Sequence, residues 1–161
     1  MTVAVPNPTV QPVKKSVLVR APRAVAFDVF TANMGAWWPM VSHHIGPAAC
    51  ADVRIEPRAG GRWFERGVDG VESPWGEVLA WQPPGRVLLA WRLNAQWRFD
   101  PAFLNEIEIR FVAVDAATTR VELEHRGLEA FGAQAAQMRD VLGSANGWGG
   151  MLDQYAAVAA R

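Results

Sequence analysis

Residues 103–126 read FLNEIEIRFVAVDAATTRVELEHR, and the spacing of their apolar side chains decides the fold. Side chains alternate across a strand, so Ile107, Ile109 and Phe111 share one face while Glu106, Glu108 and Arg110 share the other. After the turn Asp115-Ala-Ala-Thr118 the alternation resumes. Val121, Leu123 and His125 lie on the apolar face, and Glu122, Glu124 and Arg126 face water. Two half-apolar strands joined by a short turn predict an antiparallel pair, dry on one side and wet on the other. Its dry face needs a cover.

Upstream, the same grammar repeats. Asp52–Glu56 alternates and stops at Pro57, Arg58-Ala-Gly-Gly61 reads as a turn, and Arg62–Arg66 forms the next strand. Glu72–Trp81 follows, Gln82-Pro-Pro-Gly85 turns it, and Arg86–Arg92 returns. With Phe103–Val114 and Thr119–Arg126 these make a six-stranded meander. Before it lie a strand from Lys14 to Arg20 and a helix from Pro22 to about Asn33, closed by Trp37-Trp38-Pro39. The irregular stretch Met40–Ala49 holds His43 and His44. Downstream of Gly127 the composition changes, and residues 133–160 read as one long helix, with Gly143 or Gly147 as candidate breaks. Trp148, Leu152 and Tyr155 form its apolar stripe. The glycines at 147, 149 and 150 each weaken a helix by ~1 kcal/mol relative to alanine, which suggests close backbone packing or a hinge there. The expected fold class is α+β, a curved antiparallel sheet wrapped around a C-terminal helix. Residues 1–13, with three prolines, read as a loose arm, and 14–161 as a single domain.

Composition narrows the function. Half of the 161 residues are hydrophobic and a fifth are charged, which excludes a disordered chain. Sixteen basic and sixteen acidic residues leave no net field, so no nucleic-acid partner is expected. No apolar run reaches the ~20 residues of a membrane span, and the N-terminus has no signal-peptide pattern. Cys50 is the single cysteine, so an intrachain disulfide or multi-cysteine metal site is excluded, and a reducing, cytoplasmic location is expected. Eight tryptophans accompany one tyrosine, which means either a bulky core or an aromatic-lined cavity.

Five motifs in order carry a family resemblance over residues 14–160. Ala26-Phe-Asp-Val-Phe-Thr31 followed by Ala36-Trp-Trp38 resembles the opening helix and double-tryptophan cap of the bacterial proteins related to activators of the heat-shock-protein-90 ATPase. Glu56-Pro-Arg-Ala-Gly-Gly-Arg-Trp63, Trp75-Gly-Glu-Val-Leu-Ala-Trp-Gln-Pro-Pro-Gly-Arg86, Thr119-Arg-Val-Glu-Leu-Glu-His-Arg-Gly-Leu128 and Gly147-Trp-Gly-Gly-Met-Leu-Asp153 resemble its later strands and final helix. The sequence departs from the pattern at Pro39, at the His43-His44 insertion and between Trp97 and Pro101. The resemblance implies the helix-grip fold of the START-like, or SRPBCC, superfamily, which includes the birch-pollen-allergen proteins. It also implies a cavity that binds a small hydrophobic molecule. Other START-like cavities host cyclisation, hydrolysis or isomerisation, and only some relatives act on the chaperone.

Within that frame the candidate ligand-binding residues are named. Trp63, Trp91 and Trp97 lie on strands or loops facing the lid, Trp38 at the cavity entrance, Trp148 on the helix stripe and Phe111 on the sheet's apolar face. His125 points to the same interior, as a satisfied core histidine or as a polar contact to the ligand. Glu65 shares a face with Trp63, so it either sits at a wet rim or is buried with a partner. Were the protein an enzyme, Glu65 and His125 would be its acid and base; on the binding reading no residue is catalytic. His43 and His44 are adjacent and lack chelating spacing, so no metal is expected, and no phosphate loop, nucleophile elbow or cofactor motif is present. A co-chaperone-like interaction module is the third reading. A second copy of the chain is the partner that the proline-rich arm and the Trp97 loop would suit.

Overall fold

The computed structural model describes residues 10–161. Its elements run β1 (Val13–Val19), α1 (Arg23–Phe30), a 3-10 turn (Met34–Ala36), β2 (Cys50–Ile55), β3 (Arg62–Gly67), β4 (Glu72–Gln82), β5 (Arg86–Trp91), β6 (Asn105–Asp115) and β7 (Thr118–Arg126). A helical segment follows, comprising a 3-10 stretch (Leu128–Gln134), α2 (Ala135–Gly143) and α3 (Trp148–Ala159). The seven strands form one antiparallel sheet in the order β1-β7-β6-β5-β4-β3-β2. Most of the expected arm, residues 1–9, lies outside the described residues. At its end Gln11 accepts a hydrogen bond from Arg139, and Val13 opens β1 opposite His125.

The β6–β7 register sets Ile107 opposite His125, Ile109 opposite Leu123 and Phe111 opposite Val121, all buried on the inner face. On the outer face Glu108 is buried as well, because Arg86, Arg110 and Arg126 close over it. Burial, the largest influence, pushes the Glu108 carboxyl up. Hydrogen bonds from Arg86 and Arg126 and the charge of Arg110 outweigh it and hold the group at about 2.

One helix boundary differs from expectation and one expected break is found, each for a local reason. The first helix stops at Phe30: beyond it the Asn33 N–H reaches back to the Asp28 carbonyl instead of that of Val29, which accepts the Trp37 indole N–H at 2.9 Å. The C-terminal helix is interrupted at residues 144–147. There the Gly147 and Gly150 backbones lie directly against the carbonyls of Leu142 and Ala145, where a Cβ has no room. These glycines thus serve close packing, and the break turns α3 so that Trp148, Met151, Leu152, Tyr155 and Ala159 face the sheet. α3 lies against β1 and α1. The break itself forms one lip of a cavity.

Candidate functional site

Four elements deliver indole rings to one place. Trp38 follows the 3-10 turn, Trp75 lies on β4, Trp91 ends β5 and Trp148 opens α3. With Trp97 they line a cavity of about 380 Å³. Ser42, His43, His44 and Ile45 form one side of it, and Val141, Leu142, Asn146 and Gly147 the other. Trp38 packs on Trp75 at 4.9 Å and on Trp148 at 5.9 Å between ring centroids, and Trp91 meets Trp97 edge-on at 6.3 Å. The volume falls within the ~300–1,000 Å³ of small-molecule sites, and the lining is mostly aromatic, as such sites are.

Trp97 is the exposed member of the wall. Its φ of 59° is left-handed, which a bulky side chain rarely adopts. Asn94 imposes it: its side-chain oxygen accepts the N–H groups of Gln96 and Arg98, and its carbonyl accepts that of Trp97. Strain at a ring on the cavity mouth is the kind of backbone cost that clusters at binding sites.

The loop after Trp38 is pinned from three directions. The Trp38 Nε1–H donates to the His43 carbonyl at 2.9 Å. His43 donates through Nε2 to the Asn146 carbonyl at 2.5 Å and accepts the Ser42 hydroxyl at Nδ1, which ties the loop to the break before α3. Beneath the loop sits Glu65, 1% exposed, so its wet-rim alternative is overturned. Three N–H donors make burial tolerable: Ile45 N at 2.5 Å and Trp75 Nε1 at 2.9 Å on Oε1, and Gly46 N at 3.1 Å on Oε2. His44 Nδ1 lies 3.9 Å from Oε2.

His125 is fully buried and takes the structural alternative. Trp148 Nε1, which can only donate, gives its hydrogen to His125 Nδ1 at 3.0 Å. The other nitrogen, Nε2, therefore carries the proton and donates to Asn105 Oδ1 at 2.7 Å. Burial pushes this imidazole down to about 3. Glu65 and His125, weighed as an acid/base pair, are held by separate partners and share no hydrogen bond. Two buried donors, Trp63 Nε1 and Asn105 Nδ2, have no partner among the described residues. The chain of bonds from Trp148 fixes which way the Asn105 amide points.

The structure thus brings Trp38, Trp91, Trp97 and Trp148 to one cavity, with Trp63, Glu65 and His125 directly behind them. Phe111 belongs elsewhere: it packs on Phe27 and Phe30 at 5.1 and 5.9 Å, away from the cavity lining. Trp75 and His44 also line the cavity and were not among the residues expected there. Trp75 is itself the residue that the β3–β4 register skips, between Pro74 and Gly76, and a second shift follows between Val78 and Ala80, so plain alternation does not place it; no periodicity governs a loop. Among the described residues no group of three or more His, Cys, Asp or Glu could hold a metal ion, and no helix is long and apolar enough to cross a membrane. Cys50 is partly buried, and burial together with the Glu65 charge pushes its thiol up.

Comparisons with known proteins agree with this architecture. An anthrahydroquino-gamma-pyrone synthase, Txn09, is 36% identical, with 93% of this chain and 97% of that one covered and a TM-score of 0.65. The self-sacrificing resistance protein CalC from Micromonospora echinospora is 29% identical, covers 92% of this chain and 94% of its own, and gives a TM-score of 0.67. An HSP90 activator from Plasmodium falciparum is 15% identical over 72% of each chain with a TM-score of 0.51, which shows the fold alone. No curated protein sequence matches. The family described as Activator of Hsp90 ATPase homolog 1-like protein matches residues 20–160, and the chain belongs to that family.

Proposed function

We propose that the protein binds a flat, aromatic small molecule between the indoles of its cavity. One observation carries the reading: five tryptophans line about 380 Å³ of space, and the titratable groups of that lining are confined to one corner, at His43 and His44. Indole faces and edges favour offset or edge-on contact with fused rings, worth ~0.5–1.5 kcal/mol per pair beyond area burial. Burial itself contributes ~25 cal/mol per Å² of apolar surface. The likeness to a synthase whose name denotes an anthrahydroquinone-fused pyrone supports the same ligand shape.

The test uses anthraquinone-2-sulfonate as probe and tryptophan fluorescence as readout. Saturable quenching is expected, weakened about tenfold by Trp97→Ala. Val114→Ala, at an exposed site remote from the cavity lining, leaves it unchanged. Titration to the probe's solubility limit without saturation overturns the proposal. Native against denaturing mass spectrometry of freshly purified protein then searches for a natural ligand as an extra mass lost on denaturation.

A second reading, a ring-forming enzyme, is favoured by the extent of the likeness to the synthase, 36% over nearly all of both chains. Its chemistry requires a proton acceptor in the cavity.

A further inference from the structure

The chain has three histidines, and their hydrogen bonds sort them. His125 uses both ring nitrogens, on Trp148 and Asn105. His43 uses both, on Ser42 and Asn146. His44 uses one: Nδ1 lies 3.1 Å from the Gly46 carbonyl, which can only accept, so Nδ1 carries the proton. In the neutral ring Nε2 is then a bare lone pair, and it makes no hydrogen bond among the described residues.

His44 also lies where a base is useful. It lines the cavity together with Trp38, Trp75 and Ile45, and its side chain is 24% exposed. Of the residues in that lining, only His43 and His44 titrate, and His43 is committed to the loop. Behind the ring, on β3, the Glu65 carboxylate stands 3.9 Å from Nδ1, opposite in sign to the imidazolium that proton uptake produces. The main-chain N–H groups of Ile45 and Gly46 that bind Glu65 directly follow His44 in sequence, so the carboxylate also fixes the backbone carrying the ring.

We propose that His44 is a general base of this cavity, taking a proton through Nε2 from a flat aromatic ligand. The ligand's bond to hydrogen breaks, an N–H bond forms on Nε2, and the electron pair stays on the ligand, delocalised into its rings. The proton returns to the ligand or to water when the product leaves. This inference rests on the cavity reading above, and its test separates the two.

The probe for proton transfer is 5-nitrobenzisoxazole, a small flat heteroaromatic. A base removes its C3 proton, the carbon–nitrogen bond becomes a nitrile, and the nitrogen–oxygen bond breaks. The oxygen leaves with the electron pair as a coloured phenolate. The intact protein is expected to accelerate this elimination above buffer, with rate falling at acid pH as the lone pair is occupied. His44→Gln is expected to lose about 100-fold of the acceleration together with that acid limb. His44→Ala is expected to recover part of it when imidazole is added. Near-UV circular dichroism and a urea midpoint like those of the parent show that each variant keeps its fold and its packed indoles. A parent protein that binds the anthraquinone but eliminates no faster than buffer overturns the base and leaves the binding site. So does a His44→Gln variant as fast as the parent. A parent that binds no anthraquinone removes the cavity reading, and the base falls with it.

Discussion

The protein uses aromatic side chains twice, in two halves of one interior. In the first, Phe27, Phe30, Phe111, Trp37 and Tyr155 interlock at 5.0–5.9 Å between neighbouring centroids. Every polar atom in that half is satisfied: Trp37 Nε1 donates to the Val29 carbonyl and the Tyr155 hydroxyl to the Ala26 carbonyl. In the second half, Trp38, Trp63, Trp75, Trp91 and Trp148 also meet ring to ring, edge-on or tilted, yet leave a cavity, a Trp63 Nε1 with no partner among the described residues and a strained Trp97 at the mouth. Similar rings build a closed core in one place and the wall of a cavity in the other. The difference lies in whether the covering element is continuous. α1 and the C-terminal part of α3 close the first half, whereas the break at residues 144–147 and the loop after Trp38 leave the second half open.

The largest effect separates stability from binding. Phe30 is fully buried against Phe111, Trp37 and Tyr155, so Phe30→Ala is expected to cost about 3–5 kcal/mol in urea unfolding. The folded fraction retains its affinity for anthraquinone-2-sulfonate. Affinity that drops in step with stability would show the halves to be one cooperative unit instead.

The two halves also fail at opposite ends of the pH scale. His125, behind the cavity, has its folded value lowered by burial to about 3 from an ordinary 6.5. Between those values the unfolded chain binds a proton that the folded chain refuses, so its stabilising contribution is complete above 6.5 and is lost as pH falls toward 3. The slope reaches ~1.4 kcal/mol per pH unit. Glu108, ordinarily 4.5 and held at about 2, adds its own loss only below 4.5, so the interval from pH 7 to 5 isolates His125. Tyr155, in the closed half, has its value raised by burial from an ordinary 10. Its contribution is present below 10 and is lost as pH rises beyond. Urea midpoints across pH check both: His125→Gln flattens the acid side between 7 and 5, and Tyr155→Phe flattens the alkaline side. A parent protein with equal midpoints at pH 7 and 5 contradicts the histidine assignment.

These contrasts mark how far the sequence could be read. Alternation placed Ile107, Ile109, Phe111, Leu123 and His125 on the inner face, and all are there. It could not say which end of that face each residue serves, so Phe111 was grouped with the ligand contacts although it belongs to the closed half. The fate of Glu65 was open because two of its three donors come from Ile45 and Gly46, about 20 residues away in a loop without period. The same loop hid the distinction between His43 and His44, which depends on where Asn146 and Gly46 place their carbonyls. The glycines near the C-terminus did announce the helix break, since close backbone packing leaves a compositional mark that a loop's hydrogen bonds do not.

The smallest effect concerns the boundary of the open half. At φ 59° the Trp97 backbone suits glycine, so Trp97→Gly relieves strain while removing a ring that is 43% exposed and supports little of the core. Stability is expected to stay within about 0.5 kcal/mol of the parent or to rise by up to ~1 kcal/mol. Probe affinity is expected to fall about tenfold. Opposite signs for stability and affinity at one residue are what a strained binding position predicts and what a core tryptophan cannot show. A Trp97→Gly protein losing ~2 kcal/mol or more of stability would move Trp97 from the mouth of the cavity into the packing of the fold.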